Sequence, residues 1–207
     1  MALDFGQLTN DIQAAFDSTS WTTCAEKLAS AIDDYITGGL ITTTVNGTVT
    51  APFPMPPYQA VGTGTYDKNS DPKKGSMSTP GLSTLKSILT TKFNDSTVTW
   101  SLVGEIIGSA IDDYVSLITI TTKDENILEG TGVGAPGCIN TAGTYGALVS
   151  SLTNVFTNQA IAQDWTTAVQ SIASAIQSYI QGAIVTTTDS GTTPATSWTG
   201  SGSGSIT

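Results

Sequence analysis

The chain has 207 residues, 39% hydrophobic and 12% charged, with seven Lys against seventeen Asp plus Glu, a net charge of −10, and neither Arg nor His. That length suffices for one large domain or two small ones with a real core. Without Arg there is no bidentate fork for phosphate, and a strongly acidic chain repels a polyanion, which argues against nucleic acid as a partner. Without His, Ser-His-Asp and Cys-His nucleophile systems and imidazole-ligated metals are excluded. Solubility rests instead on 36 Thr and 22 Ser. The start, Met1-Ala2-Leu3-Asp4-Phe5, lacks the basic region of a secretory signal, and no apolar run reaches the ~18 residues of a membrane helix. The expectation is a protein made in the cytosol, with no membrane partner.

In chain order, Leu8, Ile12 and Phe16 predict a first amphipathic helix over residues 7–17. Ser20 is a good N-cap for a second, over residues 21–37, with an apolar stripe through Trp21, Ala25, Leu28, Ile32 and Tyr35. Gly38-Gly39 ends it. Leu40 to Val45 reads as a strand, Asn46-Gly47 as a tight hairpin turn and Thr48 to Ala51 as the return, placing strands over residues 40–51. The Pro-rich insert 51–80 reads as an extended, exposed arm.

The same signals then recur. Trp21, Trp100 and Trp165 each precede a Tyr by fourteen residues (Tyr35, Tyr114, Tyr179), with an Ile between (Ile32, Ile111, Ile176). Upstream of each Trp lies a Leu–Phe pair eight residues apart: Leu8–Phe16, Leu85–Phe93 and Leu148–Phe156. Thr99 and Asp164 take the place of Ser20 as N-caps, and Gly182 that of Gly38-Gly39 as a stop. Thr-rich strands follow, turning at Lys123-Asp124-Glu125-Asn126 in the second copy and at Asp189-Ser190-Gly191 in the third. A Gly-alternating stretch closes each copy: Gly62-Thr63-Gly64, Gly130 to Gly134 and Gly200 to Gly204. Three repeats result, over residues 1–64, 65–134 and 135–207, sharing one domain. The predicted class is α+β: three helical hairpins, each followed by short Thr-rich strands, in a pseudo-threefold arrangement around a shared core. Closure is favoured over an open stack because the terminal copies show no polar capping face. The triplets Ala29-Ser30-Ala31, Gly108-Ser109-Ala110 and Ala173-Ser174-Ala175 predict helices in close contact there.

Candidate chemistry is sparse. The pairs Asp33-Asp34 and Asp112-Asp113 suggest a cation or acid/base site, but adjacent helical positions diverge by about 100° and the third copy has Gln177-Ser178, so a solvated face is the expectation. The Gly-alternating stretches lack the Lys-Ser/Thr ending of a phosphate loop and read as close strand packing. Trp21, Ile32, Tyr35, Trp100, Ile111, Tyr114, Trp165, Ile176 and Tyr179 are expected in the core, with sugar stacking by the aromatics as the alternative. Trp198, outside the pattern, reads as an exposed partner contact or a packing residue. Lys73-Lys74 offers a basic pair to an acidic partner, and Cys24 and Cys138 read as free thiols more than as a bridge. No catalytic, cofactor or metal residue is predicted.

With its triplicate W…SAIDDY…ITTT…GTG pattern, low charge and abundance of Thr, Ser and Gly, the chain resembles the repeat-built structural virion proteins of tailed bacteriophages. That resemblance implies a non-catalytic component of an assembled particle, such as a capsid-decorating, neck or tail protein, bound to other virion proteins or to itself. A carbohydrate-binding or adhesive module is the alternative.

Overall fold

A computed structural model describes residues 3–52, 55–126, 130–159, 165–192 and 196–207. Three successive segments each supply two helices and then strands. The first holds α1 (Phe5–Phe16), α2 (Trp21–Gly38), β1 (Ile41–Thr50) and β2 (Tyr58–Tyr66). After a short β3 (Ser76–Ser78), the second holds α3 (Leu82–Phe93), α4 (Trp100–Ser116), β4 (Thr119–Glu125) and β5 (Gly130–Gly134). After β6 (Ile139–Asn140), the third holds α5 (Tyr145–Asn154), extended by a π-helical turn over Val155–Gln159, then α6 (Trp165–Gln181), β7 (Ile184–Thr192) and β8 (Ser197–Ile206). The fold is mixed α+β.

Consecutive helices pack on one another and α6 returns against α1, so six helices close a ring. The strands close as well. β1 lies between β2 and β8, β4 between β5 and β2, and β7 between β8 and β5, all antiparallel, giving a six-stranded barrel. β3 and β6 are short additions to β4 and β7. Because each strand pair follows the C-terminal end of its helix, the barrel sits at that end of the ring. One apolar cluster draws side chains from all three segments, including Ile32, Tyr35, Ile111, Tyr114, Ile176 and Tyr179, with Ile41, Ile120 and Val185 at the mouth of the barrel.

The expected helices are present, running a residue or two beyond 7–17 at the start and beyond 21–37 at the end. Ser20 caps α2, its hydroxyl accepting from the Thr23 N–H at 3.1 Å. Thr99 stands at the N-cap of α4, but its hydroxyl pairs with Ser101 instead of a backbone N–H. Asp164 lies outside the described residues. Of the three small-residue triplets only that of α4 is seen in close helix contact, while Ser30 and Ala31, and Ser174 and Ala175, line open grooves. A Cβ on Gly108 would stand 2.8 Å from Val149 Cγ2, and one on Gly104 would collide with the α5 backbone at Leu152 and Thr153.

The expected hairpin turns are overturned. Asn46-Gly47 lies within β1, paired on both sides, and Asp189-Ser190-Gly191 lies within β7. Of Lys123 to Asn126, only Asn126, with a φ of 69°, leaves the extended conformation. Returning strands come instead from the Gly-alternating stretches. The cause is barrel size: six strands enclose too narrow a space for side chains from every strand. Gly132 and Gly134 of β5 and Gly200, Gly202 and Gly204 of β8 stand at the alternate, inward positions. A Cβ on Gly202 would stand 3.0 Å from Thr43 Oγ1 and 3.1 Å from Asp189 Oδ2. The 51–80 insert is likewise not an exposed arm throughout, since residues 58–66 form β2 and residues 76–78 pair with β4.

Candidate functional site

Of the three tryptophans that recur, Trp21 and Trp100 are not core residues, whereas Trp165 is partly buried and packs against the apolar cluster. Each is the first residue of its helix, at the end of the ring away from the barrel, where among the described residues no further layer is placed. Trp21 is 47% exposed, Trp100 40% exposed and Trp165 partly buried. The helical stripe placed them on the inward face, but the stripe cannot show where the neighbouring helices stop. They meet one another: the Trp100 ring lies 6.3 Å from both Trp21 and Trp165. Phe93 packs edge-on to Trp21 at 6.0 Å, Phe156 stacks on Trp100 at 6.1 Å and Phe16 stacks on Trp165 at 5.4 Å. Three Trp and three Phe thus form one aromatic end. The Leu–Phe spacing upstream of each Trp was the signal that would have found it. A groove of about 240 Å³ opens beside Trp21, Phe93 and Trp100, with Lys92 and Asp95 also lining it.

The other repeat residues join the segments internally. Tyr114 of α4 donates to Asp33 of α2 at 2.5 Å, and Tyr179 of α6 donates to Asp112 of α4 at 2.6 Å. Burial, reinforced by these carboxylates, pushes both phenols well above their ordinary range. The acid pairs are therefore not simply a solvated face. Their second members, Asp34 and Asp113, are exposed, but the first members accept hydrogen bonds from a neighbouring segment. Where the third copy has Gln177, the series breaks: the buried Tyr35 hydroxyl has no hydrogen-bond partner. Its pKa is pushed up to about 12, first by burial and then by Asp4.

Trp198 is not an exposed anchor. It is 1% exposed and packs with Val45 and Val49 inside the barrel, at the end away from the helices. A Cβ on Gly47 would stand 2.9 Å from its ring, so that glycine makes room for the indole and forms no turn. Between this plug and the apolar mouth lies a polar layer. Thr43, Thr122 and Thr187 occupy matching inward positions on β1, β4 and β7. Two residues further on come Val45, Asp124 and Asp189, both acids being fully buried. Aligning the copies would have revealed them, as two carboxylates standing where the first copy has Val. Thr122 donates to Asp124 Oδ1 at 3.0 Å, and Thr187 donates to Asp189 at 2.9 Å.

Cys24 and Cys138 are free and buried, and burial pushes the Cys24 thiol up to about 11. Lys74 pairs with Glu125 at 3.0 Å. Among the described residues no group of three His, Cys, Asp or Glu is placed to hold a metal, and no helix is long and apolar enough to cross a membrane. No family model, curated protein or solved structure matches this chain.

Proposed function

We propose that the chain is three copies of one unit, two helices and a strand pair, arranged about a pseudo-threefold axis, and that it is a non-catalytic structural component of a tailed-phage particle. Each segment contributes two helices to the ring, two strands to the barrel and one Trp–Phe pair to the aromatic end, which supports the first part. The observation that carries the second is the aromatic end itself. Trp21 and Trp100 keep nearly half their surface in solvent although each represents a large hydrophobic gain on burial. A closed scaffold with aromatic anchors clustered at one end suits docking on neighbouring virion proteins or another copy, in a decorating, neck or tail position.

The test is to ask whether the protein co-purifies with phage particles at a defined copy number. The double variant Trp21→Ala, Trp100→Ala is expected to retain the fold and to lose incorporation at least tenfold. Incorporation at the wild-type level would remove the aromatic end as the contact. The groove beside Trp21, Phe93 and Trp100 supports a second reading, a carbohydrate-binding or adhesive module, since aromatic faces with a polar edge suit sugar stacking. Saturable quenching of tryptophan fluorescence by an oligosaccharide, lost in the same double variant, would favour that reading.

A further inference from the structure

Two carboxylates of the barrel are fully buried. Asp124 and Asp189 lie inside the barrel on the strands flanking β5, where a Cβ on Gly132 would collide with both Asp189 Oδ1 and the Thr122 hydroxyl that serves Asp124. Thr122 serves Asp124 Oδ1, and no protein donor reaches Asp124 Oδ2. Asp189 receives the Thr187 hydroxyl at both oxygens. The groups facing the pair from the surrounding strands carry no positive charge among the described residues: Thr43 and Val45 on β1, Gly64 on β2, Gly132 on β5, and Gly202 on β8. Lys123 and Glu125, the neighbours of Asp124, alternate to the outer side, where Lys74 and Lys123 pair with Glu125. Tyr66 and Cys138 also face inward but belong to the apolar cluster, where the Tyr66 hydroxyl donates to the Thr37 carbonyl.

Two adjacent carboxylates buried from solvent cannot both ionise cheaply without a compensating charge. We propose that Asp124 and Asp189 hold one proton between them, carried on Asp124 Oδ2 and donated to Asp189, and that the barrel is thereby a proton-dependent element whose closure weakens as the pH rises. Burial first, and the Asp189 charge second, push the Asp124 carboxyl up to about 6, and Asp189 is raised as well. In the unfolded chain both titrate near 4. Between about pH 4 and 6 the folded state therefore binds more protons than the unfolded state, and stability falls through that window as the pH increases. Asp95 and Glu125 at the surface, both lowered by their partners, act with the opposite sign. The contribution of the pair is thus isolated by comparison with a variant.

Thermal unfolding of the full chain between pH 4 and pH 8, in chelator and with added Ca²⁺, tests the idea. Asp124→Asn supplies a permanent donor to Asp189, so its melting temperature at pH 8 is expected to exceed that of the wild type by on the order of 5 °C, with a flatter pH profile. An equal or lower melting temperature with an unchanged profile overturns the proposal. So does a rise of the wild-type melting temperature with Ca²⁺ at pH 8 that the variant lacks, which would make the pair a cation site. If the variant does not fold, the carboxyl ¹³C resonances of the wild type decide. One barrel aspartate titrating above pH 5 supports the shared proton, and both titrating near 4 overturns it.

Discussion

Asp33 and Asp112 show how one side chain decides whether a buried phenol is paired. Each accepts a hydrogen bond from a Tyr of the next segment, whereas the Gln177 position leaves Tyr35 without a partner. Removing a hydroxyl that makes a bond to a charged group costs about 1.5–3 kcal/mol, and removing an unsatisfied one costs little or is stabilising. Tyr114→Phe is therefore expected to lower the urea midpoint and Tyr35→Phe to leave it unchanged or raise it. Equal losses in the two variants would show that ring packing, and not the bond to Asp33, decides stability there. The phenols also set an alkaline limit. Unfolded tyrosines ionise near pH 10 while buried Tyr114 and Tyr179 keep their protons, so stability falls as the pH rises above about 10.

The elements are placed by what their small residues leave out. Gly104 lets α4 lie against the α5 backbone, and Gly108 meets Val149 one turn later. Gly108→Leu and Ala173→Leu are expected to lose about 1–3 kcal/mol through overpacking, measured by chemical denaturation. Wild-type unfolding of both would refute close helix contact at these positions. On the inward strands the constraint is tighter still. A Cβ on Gly132 would collide with Asp189 and Thr122, and one on Gly64 would stand 2.7 Å from Asp124 Oδ1 and 2.5 Å from Thr43 Oγ1. Gly132→Val is expected to prevent barrel closure, read as loss of cooperative unfolding. The outward change Thr131→Val on the same strand should be tolerated.

In the whole molecule, each return strand pairs with its own outgoing strand and with that of the neighbouring segment, and each ring contact likewise joins elements of the same or adjacent segments. No segment completes its hydrogen bonding alone, so truncating the chain before residue 135 is expected to yield an unfolded product by circular dichroism. The truncation would leave β1 without β8, and α1 without α6. Closure also explains the aromatic end. Three helices that begin with Trp and meet around one ring bring their first residues together, where the ring ends and solvent begins.

The helices, their starts and their buried stripes were legible in the sequence because each depends on neighbours within a few residues: Ser20 on Thr23, Leu8 on Ile12, Ile32 on Tyr35 and Ile36. The recurrence of these local signals along the chain was legible for the same reason. What the sequence could not display was lateral pairing. Asn46-Gly47 has the composition of a turn and became strand because β2 and β8 flank it, and its glycine serves the indole of Trp198 from far along the chain. Exposure of Trp21 and Trp100, burial of Trp198 and the meeting of Asp124 with Asp189 belong to the same class. Each is set by which distant segment arrives alongside, a matter of barrel circumference and helix length that only the closed tertiary structure decides.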